Sequence, residues 1–150
     1  MPYDDLTKGR HSENGRAYSI TTVLAERERR YFSDFYCARL VVTEMRELHE
    51  IGAVNSLAWV VMPDHVHWLF QLGETETLSS VVKRFKARTA QRVNRYLDRQ
   101  GALWQKAFYD HAMRKEEDIQ GIARYIVANP LRAGLTENIG DYPLWDAIWM

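Results

Sequence analysis

The stretch Val60-Val61-Met62-Pro63-Asp64-His65-Val66-His67-Trp68 decides the fold. Two apolar runs, 54–62 and 66–72, flank a Pro-Asp pair. Such a pair between apolar runs is a turn signal, so the segment reads as a β-hairpin. On its second strand alternate side chains share a face, which sends His65 and His67 to one side and turns Val66 into the core. Two imidazoles so placed can share one divalent cation. The competing reading is an aromatic-rich packing strand built around Trp68.

Outward from the hairpin, residues 34–50 carry Phe35, Leu40, Val41, Met45 and Leu48 at roughly helical spacing. Ser33 or Asp34 could cap the start, and Gly52 stands where a helix would stop. Before this helix, Tyr18, Ile20, Thr21, Thr22 and Val23 suggest a strand over 17–25. After the hairpin, the pattern predicts a helix over 78–99 ended by Gly101, then a strand over 107–113. A last helix starts in the acidic cluster Glu116-Glu117-Asp118, which suits the positive end of a helix dipole, and runs to about 128, just before Pro130. The order is β-α-β-β-α-β followed by a helix. That is the ferredoxin-like α+β order: an antiparallel sheet with two helices on one face and the other face open. Residues 1–16 are polar and read as an N-terminal arm.

One domain accounts for residues 1–150, of which 46% are hydrophobic, and no repeat or linker divides it. Twenty Lys and Arg balance twenty Asp and Glu, yet fifteen of the basic residues are Arg, a bias toward oxyanion recognition. Cys37 is the single cysteine, which excludes an internal disulfide and a Cys-based zinc knuckle. The longest apolar run, 57–62, is too short to span a bilayer, and the first residues lack a signal-peptide core. The expectation is a soluble cytoplasmic protein with no membrane partner.

Three further signals concern chemistry. Tyr125 and Asn129 are four apart on the last helix and so lie on one face; a phenol can serve as nucleophile and an amide oxygen as metal ligand. Against this stands an ordinary core-edge tyrosine and a helix-ending Asn before Pro130. Arg84, Arg88, Arg92, Arg95 and Arg99 recur every three or four residues, with Lys83 and Lys86 beside them and only Asp98 opposing. Without interleaved Glu partners, this stripe reads as a polyanion-binding face rather than a merely solvated one. Arg10, His11 and Arg16 make the N-terminal arm a candidate for reading sequence. For the histidines, oxygen co-ligands would fit Mg²⁺ or Mn²⁺, whereas a zinc site would need a third protein ligand.

Together these residues resemble a known family. The hairpin stretch resembles the HUH signature of single-tyrosine transposases. Leu103-Trp104-Gln105-Lys106-Ala107-Phe108-Tyr109-Asp110-His111 and Arg124-Tyr125-Ile126-Val127-Ala128-Asn129-Pro130-Leu131-Arg132-Ala133-Gly134-Leu135 resemble two further blocks of that group. Gly9-Arg10-His11-Ser12 and Gly15 resemble its approach to the first strand. The specific resemblance is to the REP-associated tyrosine transposases, relatives of insertion-sequence transposases, and it covers about residues 8–145. Asp64 departs from it, standing where Asn is more usual.

The resemblance implies that His65 and His67 bind a divalent metal, Mg²⁺ or Mn²⁺, and that Tyr125 is the nucleophile. Asn129 stands where related transposases carry a glutamine as third ligand. The implied activity is cleavage and rejoining of single-stranded DNA beside hairpin-forming repeats, through a covalent 5′-phosphotyrosine and a free 3′ hydroxyl. Insertion-sequence relatives work as dimers and REP-associated members are expected to act as monomers, so the resemblance admits a monomer or a homodimer. One rival is a non-catalytic ferredoxin-like nucleic-acid-binding domain, although the RNA-recognition signature is missing. The other is a metal-dependent hydrolase in which water replaces Tyr125.

Overall fold

The computed structural model describes residues 12–113 and 116–148. Strand β1 (Ala17–Val23) is followed by two single 3-10 turns (Arg27–Arg29, Tyr31–Ser33) and helix α1 (Phe35–Glu50). The hairpin β2 (Val54–Met62) and β3 (His65–Leu72) leads to α2 (Leu78–Leu97), then β4 (Tyr109–Ala112). Helix α3 (Glu116–Val127), the short α4 (Asn129–Arg132) and β5 (Trp145–Ala147) complete the chain. The strands lie in the order β4-β1-β3-β2-β5, and every neighbouring pair is antiparallel. The first four reproduce the expected ferredoxin-like arrangement, and β5 extends it.

Alternation along the strands divides the core in two. Ile20, Val66, Trp68 and Phe70 face α1 and α2, where they pack against Val41, Met45, Val82 and Phe85. Ala58, Val60, Met62 and Leu69 face the other way, against Ala123, Ile126 and Val127 of α3. A bulge between Ser56 and Ala58 lets one strand serve both layers: Val54 lies in the α1/α2 layer before it and Val61 after it, although their spacing is odd. Trp68, fully buried, donates its indole N–H to Ser56 Oγ at 2.9 Å, so its one polar atom is paired.

The structure amends four expectations. The face opposite α1 and α2 is partly covered by α3 rather than open. Helix α2 stops at Leu97, because Asp98 takes a left-handed φ of 51° and closes the last turn with its N–H on Asn94 and Arg95 carbonyls. Arg99 is therefore off the helix. At the other end Pro130 does not end the helical path; it occupies the first turn of α4, where its missing N–H costs nothing. Strand β1 ends at Val23 because the Leu24 N–H turns to the Asp64 carbonyl, 2.9 Å away. Among the described residues, no helix is long and apolar enough to cross a membrane.

Candidate active site

Met62 pairs with His65 across a two-residue Pro63-Asp64 turn, which fixes the register of everything after it. His65 and His67 emerge on the α3 side of the sheet, and their Nε2 atoms lie 3.1 Å apart. Each ring is held from behind. His65 Nδ1 is 2.6 Å from Asp64 Oδ1, and His67 Nδ1 is 2.8 Å from the hydroxyl of Thr21, its register partner on β1. With Asp64 ionised, His65 donates to it through Nδ1, and its Nε2 faces that of His67. Arg27 closes the chain of contacts, donating from Nε to Asp64 Oδ2 at 2.8 Å.

The electrostatics follow from burial and charge. Burial first, then the nearby charges of His65 and Arg132, push the His67 imidazole down to about 4, so it is neutral at physiological pH. Burial also works against ionisation of Asp64, but hydrogen bonds from His65 and Arg27 outweigh it and leave the carboxyl below its usual range. A neutral imidazole with its second nitrogen oriented by an oxygen is the form that ligates metals.

Among the described residues, no third His, Cys, Asp or Glu joins the pair. The donor set still suits a cation. Adjacent donors of an octahedral ion with bonds of about 2.1 Å lie about 3.0 Å apart, and those of tetrahedral zinc about 3.3 Å. The observed 3.1 Å between the two Nε2 atoms accommodates either.

Helix α3 packs on the same side of the sheet, against β2, β3 and β5. It carries Tyr125 on its outer side, 62% exposed. The Arg132 guanidinium, from α4, lies over the Tyr125 ring at 3.7 Å from its centroid. The same cation influences His67, so Arg132 links the nucleophile candidate to the imidazole pair. Asn129, half-buried, begins α4 immediately after the break in the helical path. The sequence reading did not single out Arg132, Thr21 or Arg27. Thr21 could have been found from strand pairing with His67; the Arg132 contact depends on how α4 departs from α3.

The basic candidates are dispersed. Arg88 Nε bonds Glu44 Oε2 at 3.0 Å, and Arg92 reaches Glu44 at 2.8 Å and Glu47 at 3.0 Å. Arg84 pairs with Glu76, Arg99 lies 3.8 Å from Glu26, and Lys86 Nζ is bound to the carbonyls of Gln105 and Lys106. The expected lack of Glu partners is therefore wrong for the middle of the stripe, because the partners come from α1 rather than from α2 itself. Lys83 and Arg95 remain exposed, with no ion pair among the described residues. The helix carrying the stripe packs on the face away from the histidines. Arg16 bonds the Met113 carbonyl and Glu13, which ties down the start of β1. Arg10 and His11 lie outside the described residues.

A family described as transposase IS200-like matches residues 16–129, from the start of β1 to Asn129. The chain belongs to the IS200-like transposase family. The match contains both histidines and Tyr125 and ends on Asn129. A Haemophilus influenzae protein whose name contains the words REP-associated tyrosine transposase is 27% identical over 93% of this chain and 80% of its own length. The Escherichia coli K12 REP-associated tyrosine transposase is 30% identical over 57% of this chain and half of its own. Among solved structures, a REP-associated tyrosine transposase bound to a REP hairpin superposes with a TM-score of 0.77 at 23% identity, over 91% of this chain and 79% of that one. At that identity the likeness is one of fold. This transposase therefore has the family's fold, and its imidazole pair, Tyr125 and Asn129 lie within the matched span.

Proposed function

We propose that this transposase cuts and rejoins single-stranded DNA beside hairpin-forming repeats, using Tyr125 as nucleophile and a divalent metal, Mg²⁺ or Mn²⁺, held by His65 and His67. The observation that carries this reading is the convergence of the two Nε2 atoms, each ring fixed from behind, on the sheet face where α3 presents Tyr125. Asn129 Oδ1 would be the third protein donor. When bound, the cation supplies Lewis-acid withdrawal of charge from the scissile phosphate.

The chain's own residues account for the rest. Tyr125 Oη attacks phosphorus; the Oη–P bond forms, the P–O3′ bond breaks, and the phenolic proton ends on the leaving 3′ oxygen. The 5′ phosphate stays on the enzyme, and attack by a 3′ hydroxyl reverses the step without an external energy source. A free phenol with a pKa near 10 is a weak nucleophile at neutral pH. Arg132, stacked on the Tyr125 ring, holds it in one orientation and presents a cation to the phosphate that Tyr125 attacks. Asp64 and Thr21 keep the imidazoles from rotating out of position.

Incubation of labelled hairpin single strands with wild type, His65→Ala and His67→Ala, in Mg²⁺, Mn²⁺ or EDTA, tests the reading. Cleavage by wild type is expected only with metal, and neither variant should cut. Cleavage undiminished in EDTA would contradict the metal role. Tight binding without cleavage of any hairpin would favour a non-catalytic nucleic-acid-binding domain.

A further inference from the structure

Three large aromatic side chains are solvent-exposed where α1 begins and α2 ends: Phe35 at 54%, Tyr36 at 60% and Tyr96 at 43%. A single exposed ring is ordinary; rings gathered at one place mark a contact surface. Tyr36 and Tyr96 stand with centroids 4.8 Å apart, and the Tyr96 hydroxyl is anchored on Asp34 at 2.8 Å, so this pair is held in place without being buried. Neither ring belongs to the two core layers.

The charge beside the rings identifies the occupant. Arg29 and Arg30, in the loop just before α1, are exposed and have no carboxylate partner among the described residues. Arg39 lies four residues from Phe35, on the same side of α1, and likewise has none. The nearby carboxylates are largely engaged: Glu26 by Arg99 and the Tyr31 hydroxyl, Asp34 by Tyr96 and the Cys37 N–H, leaving Glu28. Unpaired guanidinium groups beside exposed rings form the combination that binds a single strand, with cations on phosphates and bases stacked on aromatic faces.

The same loop leads to the imidazole pair. Its first end is fixed by the Leu24 N–H on the Asp64 carbonyl, and its second by the Phe32 N–H on the Pro63 carbonyl. Between these points Arg27 grips the Asp64 carboxylate that orients His65. The loop thus runs from the hairpin turn beside the histidines to the start of α1, where the rings stand. We infer that Phe35, Tyr36 and Tyr96, with Arg29, Arg30 and Arg39, form a stacking platform for the unpaired DNA that flanks the hairpin. This rests on the transposase reading and gives the flanking strand a path that the ion-paired α2 stripe does not.

The test uses a hairpin oligonucleotide, blunt or carrying a short oligothymidine overhang on either end, in EDTA so that only binding is read. Phe35→Ala/Tyr36→Ala removes two exposed rings, and Arg29→Gln/Arg30→Asn removes two cations while keeping a residue tolerant of the left-handed φ of 49° at position 30. With an overhang on the favoured end, each double variant should bind about tenfold or more weakly than wild type, while the blunt hairpin is bound equally. The arginine variant should also show a shallower salt dependence on the overhang substrate. Unchanged affinity for the overhang, or equal loss on blunt and overhang hairpins, would overturn the platform. So would a shift from dimer to monomer in sedimentation of the ring variant, since the rings would then cover a second copy. Adduct formation at Tyr125, followed separately with metal, judges the transposase reading: its absence in wild type would defeat that reading without touching the binding comparison.

Discussion

At the scale of single residues, the imidazole pair depends on atoms that would not ligate a metal themselves. Thr21 Oγ1 holds His67 by Nδ1, and Asp64 holds His65 in the same way. Removing such a partner typically lowers metal affinity 10–100-fold. Thr21→Val preserves shape and loses only the hydroxyl, so it should weaken Mn²⁺ binding by about that factor in calorimetry, with the fold intact by circular dichroism. Arg132 poses a different question, because it stacks on Tyr125 and is not in the core. Loss of one positioned charge at a reacting phosphate costs roughly 10²–10³ in rate. Arg132→Ala should slow single-turnover cleavage by about that factor while changing hairpin affinity little, and a purely structural residue would instead lower the melting temperature. The histidines were legible because a strand alternates with period two whatever surrounds it. Arg132 was not, because its place over Tyr125 follows from the break between Val127 and Asn129, which spacing along one helix does not convey.

At the scale of elements, α1 illustrates how capping and tertiary contacts combine. Asp34 accepts the Cys37 N–H at 3.2 Å, as the sequence suggested, and also the Tyr96 hydroxyl from α2. The Tyr96 bond, then that from Cys37, hold its carboxyl below the ordinary 3.8. A carboxyl depressed in the folded state stabilises the protein above its unfolded value and loses that contribution as pH falls through the folded value. Asp34→Asn should therefore melt below wild type at neutral pH, with the gap closing below about pH 3.8; a gap independent of pH would contradict the linkage. The α2 stripe shows the opposite case, where pattern misled. Glu44 is 1% exposed and takes Arg88 and Arg92 from the neighbouring helix. Arg88→Ala/Arg92→Ala strands that buried carboxylate and should cost about 2–3 kcal/mol by urea unfolding, discounted for the partly exposed arginines. The salt dependence of DNA binding should remain as in wild type. Charge partners on another element are invisible to a reading that looks only along the helix.

At the scale of the whole molecule, the two layers divide the work. Helices α1 and α2 bury one side of the sheet and supply most of the core, while α3 covers part of the other side, where the histidines stand partly buried. Seven of the element positions were readable because each carries its own periodicity or its own stop: Gly52 after α1, Pro63-Asp64 between β2 and β3. The three-residue β5 and the four-residue α4 were not, since elements so short have no period to detect and exist by pairing with β2 and by Pro130 in a first turn. This architecture serves one chemical event in the proposed function. Wild type and Tyr125→Phe, incubated with hairpin single-stranded DNA and Mn²⁺, would be digested with protease and mapped by mass spectrometry. A 5′-phosphonucleotide on Tyr125 and a free 3′ hydroxyl on the released strand are expected in wild type, and neither product in the variant. Cleavage that persists in Tyr125→Phe, or an adduct on another residue, would contradict the role of Tyr125 as nucleophile.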